Sequence, residues 1–209
     1  MAKLKLHYFD MKWLGEPVRM ILAVGGIDFQ DIRFTMKEWP AIKPTTPLGQ
    51  APYIEFEGGK RLAQTKAISR YLAKQTGLFP ESDWDAARCD MVVEYSDDLR
   101  QPFAPVFLEP NKDVQKKLLT KYVKDVPKLL DNFEKLLTEN GSNGHFVGDK
   151  LTWADIYVYA MLNLIYTGTN MLGEGITFDL HPQIQAFVAK VEAVPSIAAW
   201  LEKRPKSDV

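Results

Sequence analysis

Gly49-Gln50-Ala51-Pro52-Tyr53-Ile54-Glu55-Phe56-Glu57-Gly58-Gly59-Lys60-Arg61-Leu62-Ala63-Gln64-Thr65-Lys66-Ala67-Ile68-Ser69-Arg70-Tyr71-Leu72 reads as turn, strand, hairpin, short strand and helix. Tyr53 to Phe56 combines aromatic and β-branched side chains, the composition of a pleated, half-buried strand. Gly58-Gly59 supplies two residues that tolerate positive φ, as a two-residue hairpin turn demands. Pro52 has no amide hydrogen, so it starts a strand or lies on an edge. A cis bond at Ala51-Pro52 would expose the Ala51 backbone to an extended peptide. Thr65 is expected as the N-cap of a helix with Ala67, Ile68, Tyr71 and Leu72 on one face. The free N–H groups and positive dipole end of that helix attract an anion such as a carboxylate. The stretch therefore offers backbone pairing for a short peptide beside a carboxylate clamp.

Upstream, Lys3 to Tyr8 alternates. Leu4, Leu6 and Tyr8 share one parity and Lys3, Lys5 and His7 the other, so a strand ends at Tyr8. Asp10 to Gly15 is a loop. Glu16-Pro17 opens a helix with Val18, Ile21, Leu22 and Gly25 at helical spacing, and Gly25-Gly26 stops it. Phe29 to Phe34 is a second strand, parallel to the first if the helix is a crossover. Glu38-Trp39-Pro40 and Lys43-Pro44-Thr45-Thr46-Pro47 form an irregular, proline-rich connection. The order β-α-β, loop, β-β-α resembles an α/β thioredoxin-like domain over residues 1–78.

Residues 79–84 read as a linker, and in residues 85–209 the strand signal vanishes. Ala86, Cys89, Asp90, Val93 and Asp97 carry a helix to about Pro110. A second long helix places Val114, Leu118, Tyr122, Val126, Leu129, Leu130, Phe133, Leu136 and Leu137 on its apolar face, with a kink expected at Pro127. Asn140 to Gly144 closes it. Thr152-Trp153-Ala154-Asp155 is a capping box in which Asp takes the place of Glu or Gln, and its helix runs to about Met171. Ile184, Phe187, Val188 and Val191 mark another helix, and Ile197, Trp200 and Leu201 the last. The second half is an all-α helical bundle.

Composition removes several classes of function. At 209 residues, with 46% hydrophobic and 25% charged residues, the chain is of ordinary globular make-up and long enough for two modest domains. A net charge of −1 argues against a nucleic-acid partner. No apolar run is long enough to span a membrane. Met1 to Leu6 has alternating charge and no apolar signal core, so the expected location is the cytoplasm. Cys89 is the single cysteine, which excludes an internal disulfide and a Cys-x-x-Cys pair. His7, His145 and His181 show no metal-ligand spacing, so no metal is expected. Any thiol chemistry needs a thiol carried in by a ligand.

Gly-Gln-Ala-Pro at 49–52, followed by Leu-Ala-Gln-Thr-Lys-Ala-Ile-Ser-Arg-Tyr-Leu-Ala from 62, resembles the glutathione-binding half of a cytosolic glutathione transferase. Gly148 to Asp155 resembles the second domain of the same family, so the likeness covers nearly the whole chain. Leu14-Gly15-Glu16-Pro17 after Tyr8, and Trp39-Pro40 before Lys43-Pro44, look most like the arthropod sigma class. The resemblance implies the glutathione transferase fold, with glutathione as co-substrate. A thiol of pKa about 8.5 is mostly protonated at neutral pH, and a hydroxyl donating to the sulfur anion favours the reactive thiolate. The family uses a tyrosine for this at the position of Tyr8.

The same resemblance assigns the remaining contacts. Gln50 and Pro52 flank Ala51, whose backbone pairs with the cysteinyl part. Gln64 and Thr65 hold the γ-glutamyl carboxylate, and Trp39 and Lys43 hold the glycyl end. Asp98 reaches the γ-glutamyl amine across a homodimer interface. Leu14 stands where many sigma-class proteins carry an Arg beside the thiolate; this makes the pocket more apolar and points away from prostaglandin isomerisation. Phe9, Leu14, Phe103, Tyr157 and Met161 are candidates for a hydrophobic substrate site. The expected activity is conjugation of glutathione to apolar electrophiles, with lipid-peroxidation aldehydes and hydroperoxides as candidate substrates in detoxification. The alternatives are a prostaglandin D synthase-type isomerase and a ligand-binding or crystallin-like structural protein.

Overall fold

Alternation along the first strand sets the sheet. In β1 (Leu4–Phe9), Leu4, Leu6 and Tyr8 are buried while Lys5 and His7 stay half-covered. The computed structural model describes residues 4–207, so Met1, Ala2 and Lys3, the first residues of the expected N-terminal segment, lie outside the described residues. α1 (Glu16–Val24) crosses over to β2 (Gln30–Phe34), which runs parallel to β1 with Tyr8 opposite Arg33. β3 (Tyr53–Phe56) pairs antiparallel on the other side of β1, and β4 (Arg61–Ala63) pairs antiparallel with β3. The strand order is β2-β1-β3-β4. Gly58 and Gly59, at φ 86° and 81°, make the hairpin turn.

Three local expectations for this half change. The proline-rich connection is partly helical: Trp39–Ile42 forms α2 with Pro40 in its first turn, followed by a 3-10 turn at Lys43–Thr45. Proline suits these first helical positions because their amide hydrogens have no intrahelical partner. Thr65 is the first residue of α3 (Thr65–Thr76), not its cap. The cap is Gln64, at φ 75°, where the chain turns from β4 into the helix, and its carbonyl accepts the Ile68 N–H at 2.9 Å. Tyr71 is exposed, its ring edge-on to Phe56, and the buried face of α3 carries Thr65, Ile68, Ser69, Leu72 and Ala73 instead. α3 packs against α1.

The expected helix to Pro110 is two helices, α4 (Asp83–Tyr95) and α5 (Asp97–Leu108). They divide at the buried Ser96, whose hydroxyl donates to the Val93 carbonyl at 2.7 Å. A serine bonded to nearby backbone competes with the helical ladder in this way. α6 (Lys112–Glu139) is a continuous helix with Pro127 inside it. Its buried face is Gln115, Leu119, Tyr122, Val126, Leu130, Phe133 and Leu137, whereas Val114 is exposed. α7 (Trp153–Met171) is buried on almost every side, packed among α4, α5 and α8 (Pro182–Glu192). Its capping box is formed: Asp155 accepts the Thr152 N–H at 2.7 Å, and also the Phe146 N–H at 2.8 Å. Cys89 is buried on α4, and burial pushes its thiol up to about 12, so it stays protonated and inert.

The described residues cluster as two units, 4–79 with 194–207, and 80–193. The division expected from the sequence, 1–78, 79–84 and 85–209, puts α9 (Pro195–Lys203) in the second half. Here α9 clusters with the first unit because it packs on α1. Glu16 of α1 accepts the Trp200 indole N–H at 2.9 Å and Arg204 Nη1 at 2.7 Å. Asp83 and Trp84, expected in the linker, open α4. Among the described residues, no single helix is long and apolar enough to cross a membrane.

Candidate active site

In the first unit, a cleft of about 390 Å³ is lined by Phe9, Leu14, Trp39, Lys43, Gly49, Gln50, Ala51, Pro52, Gln64 and Thr65. Its size suits a small organic ligand. Five pieces of chain build it: the end of β1, the turn at Trp13–Gly15, α2 with the 3-10 turn after it, the loop before β3 and the tip of α3. Tyr8 sits behind this wall at 4% exposure. Its phenol oxygen accepts the Leu14 backbone N–H at 3.2 Å. That bond occupies an acceptor position on the oxygen and orients the hydroxyl.

The underside of Tyr8 was not foreseen. The Arg19 guanidinium carbon lies 5.8 Å from the Tyr8 ring centroid. Arg19 is fully buried, and four groups pin it: Asp31 at 3.1 Å, the Met11 carbonyl at 2.8 Å, Glu16 at 3.3 Å and the Phe9 carbonyl at 3.4 Å. A cation fixed beneath the ring attracts its π electrons and stabilises negative charge gathering on the phenol oxygen. Gly15 makes this stacking possible. A Cβ there would lie 2.5 Å from Tyr8 Cδ1 and 3.0 Å from Arg19 Nη1. Glu16 balances Arg19. Burial would raise its carboxyl pKa, but Arg19 and Arg204 outweigh that and hold it below the ordinary value.

Part of the lining is suited to anions. The N–H groups of the first turn of α3 open beside Gln64 and Thr65, with the positive end of the helix dipole. Gln64 donates from Nε2 to Gln50 Oε1 at 2.8 Å, which ties the two glutamines into one surface. The Lys43 side chain makes no ion pair or hydrogen bond among the described residues, so its charge is available to a ligand. Trp39 is held by stacking on Phe34, with ring centroids 5.5 Å apart, and by an edge contact with Phe9. The Ala51-Pro52 bond is cis. None of the described lining residues is acidic. This donor set fits a ligand with two carboxylates and an extended peptide backbone between them.

The expected residues of the first unit thus gather around one cleft. The others belong to the second unit. Asp98 is exposed in the first turn of α5. Phe103, Tyr157 and Met161 are at most 1% exposed. Sequence reasoning missed Gly15, Arg19 and the Leu14 amide. Gly15 lay inside the Leu14–Pro17 motif without a role assigned to it; Arg19 falls on the polar side of the α1 pattern, and a backbone amide has no residue type. Among the described residues, no group of three or more His, Cys, Asp or Glu gathers to hold a metal.

Comparison with known proteins identifies the family. The family described as "Glutathione S-transferase, N-terminal domain" matches residues 2–74, and "Glutathione S-transferase, C-terminal domain" matches residues 97–204. A glutathione S-transferase of Anopheles gambiae is 40% identical over 212 residues, spanning 100% of both chains. Glutathione S-transferase S1 of Drosophila melanogaster is 37% identical over 205 residues, covering 98% of this chain and 80% of the relative. Among solved structures, prostaglandin synthase D of Nilaparvata lugens superposes with a TM-score of 0.87 at 34% identity, covering 98% of this chain and 100% of the other. With both halves matched and relatives this similar over nearly its full length, the chain belongs to the glutathione S-transferase family.

Proposed function

We propose that Tyr8 is the group that activates the thiol, and that the cleft beside it holds glutathione. The chain is a glutathione transferase by family. The observation that carries the residue assignment is the Tyr8 hydroxyl, fixed by the amide of Leu14, itself a lining residue of a cleft whose described lining holds no acidic residue. In this reading the thiol loses its proton to solvent and the Tyr8 O–H donates to the resulting sulfur anion. Lys43 and Trp39 hold the glycyl carboxylate, and Gln64, Thr65 and the tip of α3 hold the γ-glutamyl carboxylate. The Ala51 backbone pairs with the cysteinyl unit. The thiolate then forms a carbon–sulfur bond to the electrophile, displacing a leaving group or adding to an activated alkene. Tyr8→Phe tests this. Glutathione binding, measured by calorimetry, should stay within about twofold, while turnover of chlorodinitrobenzene falls by about 10²-fold. Unchanged turnover would remove Tyr8 from the mechanism.

The apolar partner is the less constrained half of the proposal. Phe9 and Leu14 offer apolar surface at the cleft, which supports alkenals from lipid peroxidation and organic hydroperoxides as substrates. A sigma-class homodimer in the cytoplasm, with the exposed Asp98 reaching the partner's glutathione, completes the reading. Sedimentation would report the dimer, and Asp98→Asn should then weaken glutathione binding. The likeness to a prostaglandin synthase D favours a second reading, a glutathione-dependent isomerase. Product analysis with prostaglandin H separates it from conjugation.

A further inference from the structure

The helical unit has a cleft of its own, about 290 Å³, formed by α7, α8 and the loop between them. Its walls combine aromatic faces with negative charge. Tyr166 and Phe178 lie with ring centroids 5.7 Å apart and planes tilted by 30°. Tyr166 is left 44% exposed, unusually open for so large a ring. The buried Tyr159 donates its hydroxyl to Glu192 Oε1 at 2.7 Å, which fixes that carboxylate on the wall. Asp179 lines the same cleft and makes no hydrogen bond or ion pair among the described residues. No lysine or arginine is among the lining residues described.

We propose that this cleft binds a small organic cation, a substituted ammonium carrying an aromatic or alkyl body. An anion would meet two carboxylates without a counter-charge. A neutral apolar body would cover Asp179 and Glu192 with nothing to replace their water. An ammonium group offers both carboxylates a partner and lies favourably over the electron-rich faces of Tyr166 and Phe178. The mixture of aromatic walls and one or two fixed charges is the usual make-up of a ligand pocket. The site shares no residue with the Tyr8 cleft, so it stands apart from the catalytic proposal.

The test uses the full chain and benzyltrimethylammonium as probe, with benzyl sulfonate and benzyl alcohol as the anionic and neutral counterparts. Amide shifts in ¹H–¹⁵N spectra report where and how tightly each binds. The cation should perturb amides between Tyr159 and Glu192, with a dissociation constant of about 1 mM. Glu192→Gln, which can still accept from Tyr159, and Asp179→Asn should each weaken it by about threefold to fivefold. Phe178→Ala should weaken it by a similar factor. Conjugating activity should be unchanged in all three variants. Equal binding of the sulfonate or the alcohol would overturn the proposal. So would shifts confined to other regions, carboxylate variants that bind as the parent does, or no shifts at about 20 mM probe.

Discussion

Gly15→Ala places a methyl group 2.5 Å from Cδ1 and 2.9 Å from Cγ of Tyr8, and 3.0 Å from Nη1 of Arg19. Gly15 has φ −78° and ψ −28°, so the alanine backbone is unstrained and only the space is at issue. Ordinary carbon–carbon contact is about 3.5 Å or more, so something must move by about 1 Å. Arg19 cannot yield easily, being fully buried and held by Asp31, Glu16 and two carbonyls. The Tyr8 ring is the side that shifts, and its phenol oxygen swings away from the Leu14 N–H. Overpacking of this kind costs about 1–3 kcal/mol of stability. A misplacement of about 1 Å at a reacting group costs about 10²-fold in rate. Steady-state conjugation of chlorodinitrobenzene should show kcat lowered by about 10- to 100-fold, with KM for glutathione within about twofold. A soluble, folded Gly15→Ala protein with parental kcat would refute the claim that Tyr8, wedged over Arg19, sets the rate.

Three further outcomes follow from the structure. Lys43→Gln should raise KM for glutathione by about threefold to fivefold with kcat unchanged, and the difference should shrink in high salt, because the exposed lysine acts through a screened charge. Asp155→Ala removes the acceptor for the Thr152 and Phe146 amides inside a buried site, so urea denaturation should show a loss of about 3 kcal/mol. Glu16 has its folded pKa below the ordinary 4.5, held down by Arg19 and Arg204 against the opposing effect of burial. Its contribution to stability is therefore full above about 4.5 and is lost as pH falls through the lower folded value. Acid unfolding of the parent should show that loss, and Glu16→Gln should flatten it; parallel acid limbs would contradict the assignment.

How much was legible depended on the range of the interaction. β1, α1, the glycine hairpin and the capping box at Thr152 are written in alternation, helical spacing and turn chemistry, all of which act over a few residues. The cap of α3 was misplaced by one residue because Gln64 takes a positive φ that no preference of glutamine announces. The break at Ser96 was missed because serine is tolerated inside helices, and here its hydroxyl turns back to Val93. Phe103, Tyr157 and Met161 were expected at a hydrophobic site from their type, and each is at most 1% exposed.

The sequence by itself determined the two-part architecture, the first strand, which runs one residue past Tyr8 to Phe9, and the motif around Pro52 and Thr65, because local periodicity and turn residues encode them directly. Tertiary structure alone decided what lies beneath Tyr8. Arg19, Gly15 and the Leu14 amide meet the phenol only after the loop folds back over the end of β1, and α9 reaches Glu16 across more than 180 residues of chain. Contacts made through folding-back carry no periodicity, so no reading along the chain could have found them.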